Sequence, residues 1–295
     1  MGSSVVRVLN KAEKDYEVIA STRNDTDLFN LEQTKELIKK TEPEILIIAA
    51  ARVGGIVANN TKRTEFIIEN LKINMNLLEA CIPYPNIKIV NLGSSCIYPL
   101  DAKDPITEDS LMTGKLEPTN SPYAMAKIAG IEIGRSLNLQ FGHKVINLMP
   151  TNLYGPNDFY SETDSHVIPG LIFRMHEYKN KKIEDFYIWG TGNPLREFLY
   201  VDDLSLAIKF IIENEVDIDL LNIGSGIEIT IKNLAEKIKA VVGYEGNLKF
   251  DKSKPDGNPR KLLDSTLINE LGWESETKLD VGLKLSYEWF LKNKA

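Results

Sequence analysis

Residues 87–94 read IKIVNLGS, and this short stretch decides the fold. It is a largely apolar run that ends in a glycine and a serine, which is typical of a strand buried inside a sheet. The stretches EILIIAA (44–50) and KVINLMP (144–150) have the same character. Strands that are apolar throughout indicate a parallel sheet with helices packed on both faces.

Helical patterns separate these strands. Residues 31–40, 64–81 and about 123–141 have the spacing of helices that bury one face or more. An earlier stretch, YEVIAS (16–21), also predicts a strand. The alternation of strand and helix predicts the α/β class with a doubly wound parallel sheet.

Loops lengthen and strands shorten after residue 150. The segment 151–166 reads as a long loop, whereas FYIWG (186–190) and FLYV (198–201) predict short strands. Long loops beside a rigid sheet often carry binding groups. We therefore expect a first domain over 1–150 and a smaller α/β region over 151–295 that binds the substrate and in part packs back on the first domain.

Composition excludes several classes of protein. The 295 residues carry a formal net charge of -7, which argues against a nucleic-acid partner. We find no apolar run long enough for a membrane span and no histidine or cysteine spacing typical of a metal site. Cys81 and Cys96, without a signal peptide, suggest a reducing compartment such as the cytoplasm.

The beginning of the chain departs from the usual doubly wound pattern. Residues 1–12, MGSSVVRVLNKA, predict a helix that starts at residue 2. In this fold a strand and a glycine-rich turn normally precede such a helix. We expect the first strand and most of the turn to be missing, with Gly2 as the last glycine of the turn. Either the sequence starts at an internal methionine, or it is a truncation with a destabilised sheet and weak cofactor binding.

Tyr123 and Lys127 lie four residues apart at the start of an apolar helical pattern. This spacing places both on one helix face, where an ammonium would lower the pKa of the phenol and suit it to proton transfer. The same spacing occurs at 84–88, which a proline interrupts, and at 178–182, which lies in a run of charges. Ser94 ends its strand at the carboxyl edge, where open α/β sheets bind ligands, and could bind a substrate oxygen.

The strand-end serine, the Tyr-x-x-x-Lys pair and the segment PTNLYGP resemble the extended short-chain dehydrogenase/reductases that act on nucleotide sugars, which have a Rossmann domain that binds the cofactor. The resemblance runs from about residue 45 to the end of the chain, and it is sharpest to the members that form GDP-L-fucose. The segments that carry it are VGGIVANN (53–60), LGSSCIYP (92–99), LEPTNSPYAMAKIAGI (116–131), SHVIPGL (165–171), REFLYVDD (196–203) and KPDGNPRKLLD (254–264).

The resemblance implies an epimerisation followed by a reduction with NADPH. The substrate is GDP-4-keto-6-deoxy-D-mannose, whose carbons 3 and 5 are inverted before the ketone is reduced. Inversion requires a base on one face of the sugar and an acid on the other. The family's thiol and imidazole match Cys96 and His166, which otherwise read as a buried filler and a helix-start residue. In the reduction, Tyr123 would protonate the alkoxide, Lys127 would hold the nicotinamide ribose, and Ser94 would bind the carbonyl oxygen.

The residues just after the 16–21 stretch indicate which cofactor is preferred. Arg23 stands where an acidic residue would favour NAD, and arginine suits the 2′-phosphate of NADP. Taken alone, Arg23 could equally be a surface charge. By resemblance, the other residues at the NADP(H) site are Gly2, Asp27, Leu28, Leu92, Gly93, Ser94, Ser95, Lys127, Pro150, Thr151, Asn152, Leu153 and His166.

The resemblance also assigns the GDP-sugar contacts to Arg174, Trp189, Arg196 and Asp256. Arginine can bind diphosphate oxygens bidentately, an indole can cover a ring face, and a carboxylate can accept a hydrogen bond from a ribose hydroxyl. Each of these residues also has a bland interpretation as a core aromatic, a surface charge or a turn residue.

Rival interpretations remain within this fold. One is another nucleotide-sugar epimerase/reductase, or a 4,6-dehydratase, although Ser95 and Cys96 stand where dehydratases have an Asp-Glu pair. Another is a catalytically silent dinucleotide-fold protein, which the missing N-terminal strand would favour. The resemblance further implies a homodimer that pairs through two helices.

Overall fold

The computed structural model describes residues 1–12, 16–162, 165–254 and 256–295. The helices are α1 (Gly2–Leu9), α2 (Leu31–Thr41), α3 (Ile56–Thr61), α4 (Arg63–Cys81), α5 (Ser121–Phe141), α6 (Val167–Lys181), α7 (Val201–Glu213), α8 (Ile231–Val242), α9 (Thr266–Glu270) and α10 (Leu279–Asn293). The strands are β1 (Ile45–Ile48), β2 (Lys88–Leu92), β3 (Val145–Pro150), β4 (Asn152–Tyr154), β5 (Asp185–Trp189), β6 (Leu195–Tyr200), β7 (Leu220–Ile223), β8 (Glu228–Thr230) and β9 (Asn247–Asp251).

A parallel sheet forms the centre of the molecule. Its described strands follow the order β1-β2-β3-β7, with Ile89 opposite Val145 and Leu148 opposite Leu221. Helices separate consecutive strands of this sheet, as parallel pairing requires. The sheet and its alternating helices confirm the prediction of an α/β, Rossmann-like fold with a doubly wound parallel sheet.

The second half of the chain supplies smaller sheets. β6 pairs in parallel with β4 and antiparallel with β8, while β5 and β9 form a separate parallel pair. A buried cluster that includes Ile172, Phe186, Ile238 and Phe290 holds these strands against α6, α8 and α10. The predicted strands at 186–190 and 198–201 correspond to β5 and to the second half of β6.

Part of the second half packs on the first. α7 lies beside α1, where the Ser4 hydroxyl donates to the Val201 carbonyl at 3.1 Å and Arg7 forms an ion pair with Asp202. Side chains of α1, β2, β3, α7 and β7 share one buried cluster. The division of the chain into domains at residue 150 stays a prediction.

The strand predicted at residues 16–21 is wrong. No described strand pairs with this segment, and its residues have no regular secondary structure. Tyr16 and Val18 do pack partly on the core of the sheet, and the Tyr16 hydroxyl donates to Glu213 at 2.9 Å. A strand exists only where a neighbour completes its ladder of hydrogen bonds. β1 pairs with β2, and no described strand lies beside residues 16–21 to form a ladder of hydrogen bonds with them.

Among the described residues, no helix has the length and apolarity of a membrane span, and no cluster of three or more histidine, cysteine or acidic side chains is arranged to hold a metal ion. Two predicted segments extend beyond the described ranges. Residues 163–164 of the 151–166 loop and Pro255 of the 254–264 segment lie outside them.

Candidate active site

The carboxyl ends of β2 and β3 lie side by side and form the floor of the candidate site. The Gly93 amide continues the parallel ladder by donating to the Leu148 carbonyl at 2.8 Å. A Cβ atom on Gly93 would lie 2.1 Å from the Met149 methyl carbon and 3.3 Å from the Leu148 carbonyl oxygen, so a larger residue here would require the Met149 side chain to move. The chain therefore leaves β2 tightly packed and turns at Ser94.

Ser94 begins a short 3-10 helix, Ser95–Ile97, which carries Cys96. The Ser94 hydroxyl oxygen accepts a hydrogen bond from the Cys96 amide at 3.2 Å. A hydrogen bond with Ser94 also acts on the Tyr123 phenol, lowering its pKa. Ser94 thus follows the end of β2 and forms hydrogen bonds with both Cys96 and Tyr123.

Tyr123 and Lys127 lie in the first turns of α5, with Pro122 at the helix start. The Lys127 ammonium is buried, with 2% of the residue exposed, and donates to the Leu92 carbonyl at 2.7 Å. It also lies 5.9 Å from the centre of the Tyr123 ring. Burial lowers the pKa of Lys127 to about 8, because a buried ammonium loses its hydration.

The direction of the Tyr123 pKa shift differs from the prediction. Lys127 was expected to lower it, but burial of the phenol raises it, and the Coulomb interaction with Cys96 raises it further. Desolvation dominates because Tyr123 is enclosed, packing edge to face on Phe66 with ring centres 6.4 Å apart. The buried phenol therefore holds its proton at neutral pH and is a weaker acid than a free tyrosine.

Lys261, from the C-terminal part of the sequence, contacts the site. Its ammonium donates to the Cys96 sulfur at 3.8 Å, across 165 positions of sequence. No pattern in the sequence singles out Lys261, although it lies inside the segment 254–264 that carries part of the family resemblance. Spacing along the chain could not reveal the contact, because the two residues belong to different elements.

His166 lies at a helix start, which agrees with its interpretation as a helix-start residue. It is the residue before α6, is exposed, and has extended backbone angles. Its imidazole interacts electrostatically with Asp158, whose pKa is raised chiefly by burial. The described contacts group Ser94, Cys96 and Tyr123, but none of them joins His166 to this group.

The predicted cofactor residues of the N-terminal part lie around the end of β1 and the loop before α2. A Cβ atom on Gly2 would lie 3.7 Å from the Cβ of Ala49, so α1 begins beside the carboxyl end of β1. Arg23 is exposed in a turn. The Asp27 carboxylate accepts from the Phe29 amide at 2.9 Å, and the half-buried Leu28 packs on the core beneath.

The remaining predicted cofactor residues line the ends of β2 and β3. Leu92 and Ser95 are buried on either side of the turn at Gly93 and Ser94. Pro150 is the last residue of β3, and the Thr151 hydroxyl and the Asn152 side-chain amide both donate to the Glu197 backbone carbonyl, at 3.3 and 2.9 Å. Leu153 follows, half-buried, in β4.

The donor groups at this edge fit a dinucleotide. Lys127 has three ammonium hydrogens, and the described residues give it one hydrogen bond, to Leu92. An ammonium buried with spare donors suits the hydroxyls of a ribose. The exposed guanidinium of Arg23 suits a phosphate on the adenosine ribose.

The predicted GDP-sugar residues gather around β5 and β6. In α6, Arg174 stacks on the Phe186 ring at 4.8 Å and donates to the Tyr187 carbonyl at 3.3 Å. Trp189 ends β5 with 57% of its surface exposed, and the Lys254 ammonium lies over its ring. An exposed indole at a strand end is available to cover a ligand ring.

Arg196 and Asp256 are near each other. Asp256 acts electrostatically on Arg196, whose pKa is lowered mainly by burial. The Asp256 carboxylate already accepts from the Thr191 amide at 2.6 Å and the Thr191 hydroxyl at 2.8 Å. A carboxylate has about four acceptor positions, so it retains capacity for a ligand hydroxyl.

Comparisons with known proteins agree with this geometry. The chain is 44% identical over 302 residues to GDP-L-fucose synthase of Escherichia coli (strain K12), covering 99% of this chain and 94% of that protein. It is 46% identical to GDP-L-fucose synthase 1 of Arabidopsis thaliana, covering 99% and 90%. The structure of a GDP-L-fucose synthetase from Naegleria fowleri bound to NADP superposes with a TM-score of 0.88 at 26% identity, covering 99% and 91%.

Residues 1–224 match the NAD dependent epimerase/dehydratase family. This match spans the central sheet, the turn at Ser94 and the Tyr123–Lys127 pair. The matched region and the identities to the relatives cover most of the chain. The chain therefore belongs to the NAD dependent epimerase/dehydratase family.

Proposed function

We propose that this enzyme converts GDP-4-keto-6-deoxy-D-mannose to GDP-L-fucose by 3,5-epimerisation and NADPH-dependent 4-reduction. The observation that carries the proposal is the group formed by Ser94, Cys96, Tyr123 and Lys127 at the carboxyl edge of the sheet. A thiol beside a reductase's serine and tyrosine provides proton exchange next to the carbonyl. The names of the relatives at 44% and 46% identity support the same reaction.

Epimerisation requires proton exchange at two carbons next to the ketone. Removal of the proton from carbon 3 or carbon 5 breaks a C–H bond and moves its electron pair into an enolate, with charge on the carbonyl oxygen. We assign the exchange to Cys96 and His166, one on each face of the sugar. Donation from the Ser94 hydroxyl would stabilise the oxygen as its charge develops.

Reduction uses the phenol on the same oxygen. Bound NADPH supplies the hydride that carbon 4 receives. Tyr123 gives its proton to the resulting alkoxide, which is a stronger base than a phenolate, so the transfer is favourable although burial raises the pKa of the phenol. Lys127 holds ribose hydroxyls with the donors that Leu92 leaves free. Ser94 keeps the carbonyl oxygen within reach of the phenol.

We assign the GDP portion to the C-terminal region, residues 151–295, and the dinucleotide to residues 1–150. Arg174 and Arg196 would bind the diphosphate, and Trp189 would cover a ring. Asp256 would accept from the ribose of the guanosine. The proximity of Asp256 to Arg196, and the exposure of the Trp189 ring, support this assignment.

We further propose that the enzyme is a homodimer that pairs through α4 and α5. Ile68 and Met75 lie seven residues apart on α4 and are 46% and 47% exposed. Met125 and Leu139 lie fourteen residues apart on α5 and are 49% and 88% exposed. These spacings place each apolar pair on one helix face, and burial of such a stripe favours association.

A reducing compartment, such as the cytoplasm, is the proposed location. Neither Cys81 nor Cys96 forms a disulfide, and Cys96 needs a free thiol for the proposed chemistry.

Turnover in deuterium oxide tests the proposed function. The chain is incubated with GDP-4-keto-6-deoxy-D-mannose and NADPH, and the product is examined by NMR. We expect GDP-L-fucose with deuterium at carbons 3 and 5, and no deuterium there with the Cys96→Ser, His166→Gln double variant. Oxidation of NADPH without deuterium incorporation would indicate a different nucleotide-sugar reductase. NADPH binding without turnover would indicate a silent protein.

A further inference from the structure

The Cys96 sulfur has a cation beside it. The Lys261 ammonium donates to the sulfur at 3.8 Å, a long N–H···S contact. Lys261 is half-buried, so water screens its charge less than it would at the surface. A lysine next to a cysteine favours the thiolate, which is the form that accepts a proton.

Hydrogen bonds fix the backbone of the two residues that follow Lys261. The Leu262 amide donates to the Asp104 carboxylate at 2.8 Å, and the Leu263 amide donates to the Glu197 carboxylate at 3.2 Å. Glu197 is fully buried, which makes it a rigid attachment point. The lysine is therefore held at the site by the fold and does not reach it by chance from a mobile loop.

The neighbouring cation is already paired. The Arg260 guanidinium donates to both oxygens of Glu228, at 2.8 and 2.6 Å. The described residues place no carboxylate within ion-pair distance of Lys261. The charge of Lys261 is thus directed at the sulfur, while that of Arg260 is neutralised at the surface.

The other side of Cys96 is apolar apart from the phenol and Ser94. Cys96 packs against Ala58, Phe66 and Tyr123. Negative charge on its sulfur raises the pKa of Tyr123, so the thiol and the phenol are electrostatically coupled.

We propose that Lys261 is a positioning residue for epimerisation, which holds the Cys96 sulfur and stabilises its thiolate so that Cys96 is the base on its face of the sugar. The proposal rests on the proposed function for its substrate, but the contact itself requires no substrate. In the step it supports, an S–H bond forms as the C–H bond breaks, and the electron pair moves to the carbonyl oxygen.

Alkylation of the thiol by iodoacetamide at neutral pH tests the contact without substrate. Modification is followed by mass spectrometry in Lys261→Met, Lys261→Gln and Lys261→Arg, with Lys284→Met, an exposed lysine on α10, as the matched control. Cys81 does not interfere, because burial raises its pKa to about 12. We expect Lys261→Met and Lys261→Gln to slow alkylation of Cys96 roughly ten-fold, and Lys261→Arg and the control to stay near the wild-type rate.

The same variants are then assayed with substrate. We expect Lys261→Met to lower the kcat for deuterium exchange at carbons 3 and 5 by about ten-fold or more, with little change in KM. The inference is overturned if alkylation is unchanged, or if Lys261→Met raises KM alone, since Lys261 would then bind substrate and not the thiol. If the wild-type protein exchanges no deuterium while alkylation follows the expected pattern, the proposed function fails and the contact stands.

Discussion

The Lys127 ammonium donates a 2.7 Å hydrogen bond to the carbonyl oxygen of Leu92, which ties α5 to the carboxyl end of β2 through a buried charge. This arrangement fixes the depth of the Tyr123 phenol beside Ser94. It also has a thermodynamic cost, because burial lowers the pKa of Lys127 from 10.5 to about 8.

Lys127→Met is expected to stabilise the cofactor-free protein while impairing reduction. Below pH 8 the ammonium is protonated in both the folded and unfolded states, so the full cost of burial is present. We expect the free energy of unfolding at pH 7 to rise by about 1–3 kcal/mol, measured by urea denaturation. The difference from wild type should shrink between pH 8 and 10.5, where the unfolded chain binds more protons and wild-type stability rises. A constant difference across this range would contradict the argument.

Tyr123→Phe separates the two reactions. The ring keeps its packing on Phe66, but the proton donor for the alkoxide is lost. NADPH oxidation should fall by roughly 10²–10⁴-fold, while deuterium exchange at carbons 3 and 5 stays within a few-fold of wild type. Tyr84→Phe is the control, because Tyr84 has the same spacing to Lys88 outside a helix. Equal loss of both reactions would argue that the variant disturbs the whole site.

Arg23→Ala should change the choice of cofactor. Loss of a guanidinium that binds the 2′-phosphate is expected to weaken NADPH binding by about ten- to hundred-fold and to leave NADH binding nearly unchanged. Fluorescence titration of each reduced cofactor measures this, with Lys39→Ala, an exposed lysine on α2, as the control. A similar loss for both cofactors would remove Arg23 from the phosphate site.

Glu197→Ala should destabilise the fold. Its buried carboxylate accepts from the Gly226 amide at 2.8 Å and the Leu263 amide at 3.2 Å, and both donors would lose their partner. With the cavity left behind, we expect the free energy of unfolding to fall by about 2–4 kcal/mol in urea denaturation. Glu288→Ala, exposed on α10, should change it little. A small effect at Glu197 would mean that water replaces the carboxylate.

The proposed dimer predicts a monomeric double variant. Met75→Glu combined with Met125→Glu places charges on the exposed stripe of α4 and α5. Sedimentation velocity should show a dimer for wild type and a monomer for the variant, since like charges would meet across the two-fold axis. Leu291→Glu, 44% exposed on α10, should remain dimeric. A dimeric double variant would exclude this interface.

Sequence patterns predicted the sheet well where both faces of a strand are buried. The stretch 87–94 became β2 because its apolar residues have helices on either side and strands on both edges. The 16–21 stretch has similar composition but forms no strand, because pairing depends on a neighbour that composition does not reveal. In this stretch the local pattern predicted neither hydrogen bonding nor burial, since Ile19 is 55% exposed.

Some residues of the candidate site could be predicted from the sequence, and others could not. Tyr123 and Lys127 could be found because a helix converts their spacing into proximity. Lys261 could not, because its contact with Cys96 depends on how β6, Glu197 and residues 261–264 are packed together. The direction of the Tyr123 pKa shift also depended on enclosure by Phe66, which is a property of the folded molecule.

The position of β7 affects how the chain can be assembled. β7 begins at residue 220, yet it completes the sheet beside β3. During synthesis, the edge of β3 therefore stays open until β7 has left the ribosome. A ribosome that stalls before that point would hold a nascent chain in which β3 pairs with β2 alone, and the open edge of β3 is a target for chaperones.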